Sequence, residues 1–250
     1  MAPPPFYVFA LEGLRFELPF SVFGADVRDT TVDLGPPWPL ALGLGSSVAY
    51  LLLILLWPRG RVCLCRGGGF VHYVALFLYS FAVFAAVLAH LVAAGELTSL
   101  STYACTPVPG WLRLVSLSFT VSKIWEWGDT LAMLERGDSL SKIGFLHLYH
   151  HATTFLLFLT VMNFSGAEKS GMLLNGFVHT LMYAHYAFRL PKAVRPFITA
   201  AQIVQLAFTT WLWHVTPALC PVYASFHKEH PLEFLVPYAL VPVYLAFFLK

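Results

Sequence analysis

Along this chain, apolar stretches of about twenty residues recur seven times, and Pro, Gly or charged residues cluster between them. Roughly 20 mostly apolar residues are what a helix needs to cross the hydrocarbon core of a bilayer. Inside that core only helices and closed barrels satisfy every backbone N–H and C=O. The stretches fall at 38–57, 70–94, 111–134, 144–163, 171–189, 196–216 and 231–249, punctuated by segments such as "WPRGRVCLCRGGG", "LERGDSLSK" and "RLPKAVRP". The third is interrupted by polar residues. Composition agrees: 58% of the 250 residues are hydrophobic and 11% are charged, against about 25% charged in an ordinary soluble domain. The mean hydropathy is +0.70. A soluble fold of this size has too little interior for so much apolar surface, so the expected fold is an all-α integral membrane protein of about seven transmembrane helices. A net charge of +2 without a basic run gives no sign of a nucleic-acid partner.

Residues 1–37 are the one stretch that reads as non-membrane, and 38–250 read as the helical membrane domain. The opening "MAPPPFYVFALEGLRFELPF" lacks a positive n-region and carries Glu12 and Glu17, so it does not read as a cleaved signal peptide. Positive charge sets orientation. Arg59, Arg61 and Arg66 follow the first span, Arg136 and Lys142 the third, and Arg189, Lys192 and Arg195 the fifth, and Lys250 ends the chain. The opposite loops carry only Lys169 and Lys228. The N-terminus is therefore expected outside or in a lumen and the C-terminus in the cytosol. Cys63 and Cys65 then face the reducing side. Cys105 and Cys220 share the other, where a disulfide or two free thiols are the alternatives, the disulfide being the expectation. The sequon at Asn163 lies on that same side, close to the membrane, and is expected to go unused.

Ionisable groups inside spans are costly and mark candidate sites. In the fourth span, His147, His150 and His151 stand at i, i+3 and i+4, one face of a helix. In the fifth, Asn175, His179 and Tyr183 form a second stripe, with Tyr186 beyond it and His185 off it. Lys123, Glu126, Asp129 and Thr130 occupy the third span and read either as a structural ion-pair network or as support for a catalytic centre. Thr199, Gln202 and Gln205 lie on one side of the sixth, where glutamines bond across helices or orient a histidine. His72, His90, His214, His227 and His230 are read as border residues.

Two chemistries could use this set. A His-x-x-His-His cluster is one element of the histidine boxes of membrane di-iron desaturases and hydroxylases. The chain has one such box, however, and its best-placed carboxylates stand beside the cation of Lys123, so no metal is expected. The other chemistry is covalent. No cysteine and no Gly-x-Ser-x-Gly elbow lies within a span, which leaves imidazole as the available nucleophile. A dry chamber protects an acyl-imidazole from water, and neighbouring histidines can move protons near neutral pH. A non-enzymatic seven-helix transporter is a further alternative, although paired helix-breaking segments in two halves are not evident.

Taken together, Lys123-x-x-Glu126-x-x-Asp129-Thr130, His147-x-x-His150-His151, Asn175-x-x-x-His179-x-x-Met182-Tyr183 and Thr199-x-x-Gln202-x-x-Gln205 resemble the fatty-acid elongases, the very-long-chain 3-oxoacyl-CoA synthase (ELO) family. The four motifs stand in the family's order between residues 123 and 205, and the span layout extends the likeness over nearly the whole chain. The resemblance implies a helical barrel around an acyl tunnel in the endoplasmic reticulum membrane. It also implies condensation of a fatty acyl-CoA with malonyl-CoA to a 3-oxoacyl-CoA two carbons longer, releasing CO2 and CoA. No cofactor is implied beyond these two substrates. The partners implied are the ketoacyl-CoA reductase, dehydratase and enoyl reductase of the elongation cycle, and a second copy in a homodimer. By the family pattern His150 is the nucleophile. His147 and His151 orient it and move protons, and His179 and Asn175 stabilise the enolate. Lys123, Glu126, Asp129, Tyr183, Gln202 and Gln205 support and bind. Two departures stand out. His185 replaces the first Tyr of the usual Met-Tyr-x-Tyr-Tyr, which puts any role of that hydroxyl in doubt. The chain also stops at "FFLK" where many members carry a lysine-rich tail, leaving truncation or retention by partners as readings.

Overall fold

The computed structural model describes residues 38–58 and 65–248, with side chains for 40–58 and 69–248. Residues 1–37, Arg59, Arg61, Cys63, the side chains of Cys65 and Arg66, and Lys250 lie outside the described residues. Everything regular in the described part is helical: α1 (Trp38–Leu56), α2 (Cys65–Ala93), α3 (Leu100–Cys105), α4 (Gly110–Trp125), α5 (Trp127–Glu135), α6 (Leu140–Ile143), α7 (Phe145–Val161), α8 (Ser165–Phe188), α9 (Arg195–Leu219), α10 (Phe226–Glu229) and α11 (Pro231–Phe248), with short 3-10 turns between some of them. By length and hydropathy alone, two qualify as membrane spans: Gly69–Ala93 and Pro231–Phe248. α1 and α7 are apolar but shorter; α7 carries the three clustered histidines, and α4, α5, α8 and α9 carry the other polar residues of the candidate site.

Side-by-side packing closes a circuit of α2, α8, α9, α11, α7 and α4, with α1 laid against α7 and α5. Inside it a core of Val161, Phe164, Leu212, Trp213, Phe226 and neighbouring residues fills one end. A second cluster, Tyr50, Ile54, Trp127, Leu134 and Ala152, joins α1 to α5 and α7. Outer faces carry large exposed apolar side chains such as Val48, Leu52, Leu56, Val71, Phe81 and Val92. In water so much exposed apolar surface would drive aggregation.

Two expectations are corrected. The third span is not one helix. It breaks at Glu126, where Asp129 N–H reaches back three residues to Glu126 O (3.0 Å), and α4 and α5 run on either side. Gly128, a poor helix former, lies in this bend. The fifth helix begins at Ser165 rather than 171, so Lys169 is no loop charge. It is fully buried, its ammonium bonded to Glu96 and to Thr106 O. Its neighbour Glu168 lies 2.6 Å from Arg113 Nη1. Charge that marks a loop by composition is here paired within the protein, which is how buried ions are tolerated.

Cys105 and Cys220 are joined in the structure, their Cα atoms 5.5 Å apart, tying the end of α3 to the end of α9. At that same end Tyr103 OH bonds Ser170 Oγ (2.7 Å), and burial pushes the Tyr103 phenol up to about 12. Asn163 Nδ2 donates to Thr160 O (2.7 Å), and Ser165 of the sequon is buried against Tyr223.

Candidate active site

Gly144 separates α6 from α7 with φ 90°, a conformation open to glycine and strained for other residues. From that start, the helical period presents three imidazoles inward. The rings of His147 and His151 are 4.4 Å apart and those of His150 and His151 5.2 Å. His147 Nε2 lies 2.8 Å from Thr130 Oγ1, which in turn lies 2.9 Å from Tyr50 OH. The carbonyl of His151 accepts from Trp127 Nε1 (3.1 Å), pinning α5 to α7. Neither ring nitrogen of His150 is engaged by a described protein group. Its ring packs 5.6 Å from that of Tyr244, whose hydroxyl is fixed by Thr153 (2.6 Å).

The second stripe arrives from α8. Lys123 Nζ donates to Glu126 Oε1 (2.7 Å) and to Asn175 Oδ1 (2.8 Å), and it sits 4.1 Å above the Phe119 ring. His179 Nδ1 stands 3.2 Å from the same Glu126 oxygen, out of line for a hydrogen bond, and Glu126 Oε2 has no described partner. Asn175 Nδ2 reaches Gln205 Oε1 at 3.4 Å. Asp129 accepts from Tyr183 OH (3.0 Å). Helices α4, α5 and α8, with the bend at Glu126 between the first two, thus deliver Lys123, Glu126, Asp129, Asn175, His179 and Tyr183 into one buried polar layer. Each charge in it has an opposite charge or a donor within reach, as burial demands.

This layer borders a cavity of about 280 Å³ lined by His147, His150, His151, His179, Tyr183 and Gln202 among others. It shares Met182, Tyr186 and Gln202 with a wider mouth of about 740 Å³, where Arg189, Lys192 and Arg195 supply positive charge and Thr199 contributes to the wall. Arg195 Nε donates to His185 Nε2 (3.2 Å), so the imidazole at 185 serves as an acceptor at the mouth. On the other side two narrow cavities of about 40 Å³ each continue inward. The first still contains His150 and His179. The second, lined by Leu157, Phe158, Leu206, Thr209 and Val241, reaches Trp213. The histidines therefore stand between a cationic opening and an apolar channel. No group of three or more His, Cys, Asp or Glu among the described residues converges as metal ligands would.

Every site residue expected from sequence comes to this centre, Gln205 through Asn175 and at the start of the apolar channel. Missed were Tyr50, Tyr244 and His72, whose Nε2 lies 2.7 Å from Asp129 Oδ1. No local pattern marks them, because each partner lies on a distant helix.

Comparison with known proteins gives the same direction. Fatty acid elongase 6 of Leishmania major is 35% identical over 162 residues, covering 62% of this chain and 41% of that protein. Very long chain fatty acid elongase 5 of Tachysurus fulvidraco is 28% identical over 179 residues, covering 66% and 60%. The human protein of that name is 29% identical over 177 residues, covering 65% and 58%. The matched stretch thus spans 41% to 60% of the length of these relatives. No solved structure matches the chain. The GNS1/SUR4 (ELO) family model matches residues 42–250, so the chain belongs to that family.

Proposed function

We propose that this chain is the condensing enzyme of fatty-acid elongation, joining a long-chain acyl-CoA to malonyl-CoA within the endoplasmic reticulum membrane. The observation that carries the reading is the placement of His150 and His179 in one cavity between a cationic mouth and an apolar channel. The mouth suits a phosphorylated carrier and the channel an acyl chain. The described relatives are named for fatty acid elongation.

In the first half-reaction a free His150 nitrogen attacks the thioester carbonyl. The C–S bond breaks, and CoA leaves as the thiol with the proton that imidazole gives up. The acyl group remains as acyl-His150, screened from water. Malonyl-CoA then loses CO2, and the enolate carbon attacks the acyl carbonyl. The C–N bond breaks, and His150 regains a proton by way of His147 and His151, so that each turnover consumes one proton. With Nδ1 turned to the Glu126 carboxylate, a doubly protonated His179 offers its Nε2–H to the enolate oxygen. A preorganised donor in a water-poor site is worth most where charge develops. Asn175 aids by holding Lys123, and the Lys123–Glu126 pair sets the His179 ring.

The reading includes seven membrane crossings (α1, α2, α4 with α5, α7, α8, α9 and α11). The Arg/Lys mouth is cytosolic, and the Cys105–Cys220 bridge is lumenal and oxidised. The N-terminal segment 1–37 is lumenal and the C-terminus cytosolic. The cycle's reductases and dehydratase, and a second copy, are its partners. The test is intact-mass measurement after incubation with acyl-CoA alone. The expected result is one acyl adduct, absent in His150→Ala. No adduct, or an adduct that survives that substitution, overturns the covalent step. Failure to release CO2 from malonyl-CoA in the presence of acyl-CoA overturns the reaction itself.

A further inference from the structure

Asp129 is a buried carboxylate at the edge of the catalytic cavity, and both of its oxygens are held by other helices. Oδ2 accepts from Tyr183 OH of α8 (3.0 Å), and Oδ1 lies 2.7 Å from His72 Nε2 of α2. The Tyr183 ring meets the His179 ring nearly edge-on, 5.5 Å between centroids and 72° between planes. A continuous chain therefore runs from His72 through Asp129 and Tyr183 to His179. His72 itself does not line the cavity. Room for it is built into α5: a Cβ on Gly128 would come within 2.8 Å of His72 Cε1. The helix thus carries its weakest helix former where the imidazole of α2 must approach.

We infer that His72 is a positioning residue for the condensation, holding Asp129 so that Tyr183 fixes the His179 ring where the enolate oxygen forms. This rests on the condensation reading above. An Asp129 with a single donor can rotate. Tyr183 then follows its acceptor, and the ring packed on Tyr183 loses its register. A displacement of about 1 Å at a reacting group costs on the order of 100-fold in rate. The donor that matters is the N–H at Nε2, so the role belongs to a hydrogen bond rather than to aromatic bulk.

The experiment compares wild type with His72→Leu, His72→Gln, Gly128→Ala and Tyr183→Phe in the purified full chain, reading malonyl-CoA-dependent CO2 release. His72→Leu is expected to lower kcat about 10- to 100-fold while both KM values stay within about twofold, since the mouth is untouched. His72→Gln restores an N–H donor at a similar reach and recovers most of the loss. Gly128→Ala keeps every donor and charge and favours helix formation, yet it pushes the imidazole aside and is expected to lower kcat as His72→Leu does. His72→Leu combined with Tyr183→Phe loses no more than the worse single variant, because both cut one chain. Wild-type rates in His72→Leu overturn the inference, as does a loss that Gln does not relieve or one that falls on KM. A wild-type chain that releases no CO2 overturns the condensation reading and this inference with it.

Discussion

Lys169 offers a direct measure of how the closed end of the helical circuit is held. Its ammonium is fully buried and bonds Glu96 Oε2 and the carbonyl of Thr106, with the Tyr103 ring 5.4 Å away. The other Glu96 oxygen lies 3.1 Å from His90 Nε2. Lys169→Met keeps the length and apolar volume of the stem and deletes only the charged head. It leaves a buried carboxylate with one neighbour and a carbonyl without its donor. Removing one partner of a buried ion pair costs about 3–5 kcal/mol. At about 2–4 °C per kcal/mol for a chain of this size, the expected fall in Tm is about 6–20 °C. The double variant Glu96→Gln/Lys169→Met removes both charges and should recover at least half of that, because the cost lies in the stranded charge rather than in the pair. Thermal melting of the detergent-solubilised full chain, followed by loss of the monodisperse peak, reads both. A Lys169→Met variant that melts with wild type, or a double variant less stable than the single, refutes this account of the closed end.

Three further outcomes follow from the same geometry. Trp213→Phe opens the inner end of the apolar channel and should shift products to longer chains, whereas Thr209→Leu fills it and should shift them shorter. Thr209 Oγ1 is buried with no partner among the described residues, so its loss removes no hydrogen bond seen there, and product profiles across acyl-CoA lengths check both. Arg189 caps α8 in the left-handed region (φ 53°, ψ 49°). Arg189→Gly should therefore relieve about 1 kcal/mol of backbone strain yet raise the KM for CoA esters through lost charge at the mouth, and melting together with steady-state kinetics separates the two. Reduction or Cys105→Ala/Cys220→Ala should lower stability by about 2–4 kcal/mol, with the linked peptides visible in non-reducing mapping of wild type.

What could be read from the chain was whatever repeats within one helix. The i, i+3, i+4 spacing put His147, His150 and His151 on one face, and the four-residue spacing did the same for Asn175, His179 and Tyr183. Both stripes line the cavity. What could not be read were bonds between helices far apart in sequence. His72, set between Val71 and Tyr73, shows nothing locally that points to Asp129, 57 positions away. Lys169 looked like a loop charge because its counter-ion, Glu96, is 73 positions distant. The bend at Glu126 was equally hidden. Lys123, Glu126 and Asp129 read well as one ridge, and the approach of His72 to Gly128 gives a packing reason for the break.

The two ends of the helical circuit meet opposite demands, and their chemistry follows. At the disulfide end, paired buried charges and aromatic packing around Phe164 and Trp213 leave only narrow space. A fixed floor sets a fixed depth. Between His150 and Val161 the helix rise of 1.5 Å per residue makes that depth about 16 Å. At the other end the positive side chains surround open volume, and one of them is held in a strained backbone conformation. In the proposed reaction, two CoA esters enter there in turn while the acyl-imidazole stays dry. The mouth must therefore be loose enough to exchange carriers, and the layer beneath it tight enough to exclude water. The Lys123–Glu126–Asn175 and His72–Asp129–Tyr183 contacts supply that tight layer. Loosening either should raise hydrolysis of the acyl-enzyme relative to condensation. The ratio of free fatty acid to 3-oxoacyl product in Asn175→Ala and His72→Leu is where this division of labour is tested, and an unchanged ratio would refute it.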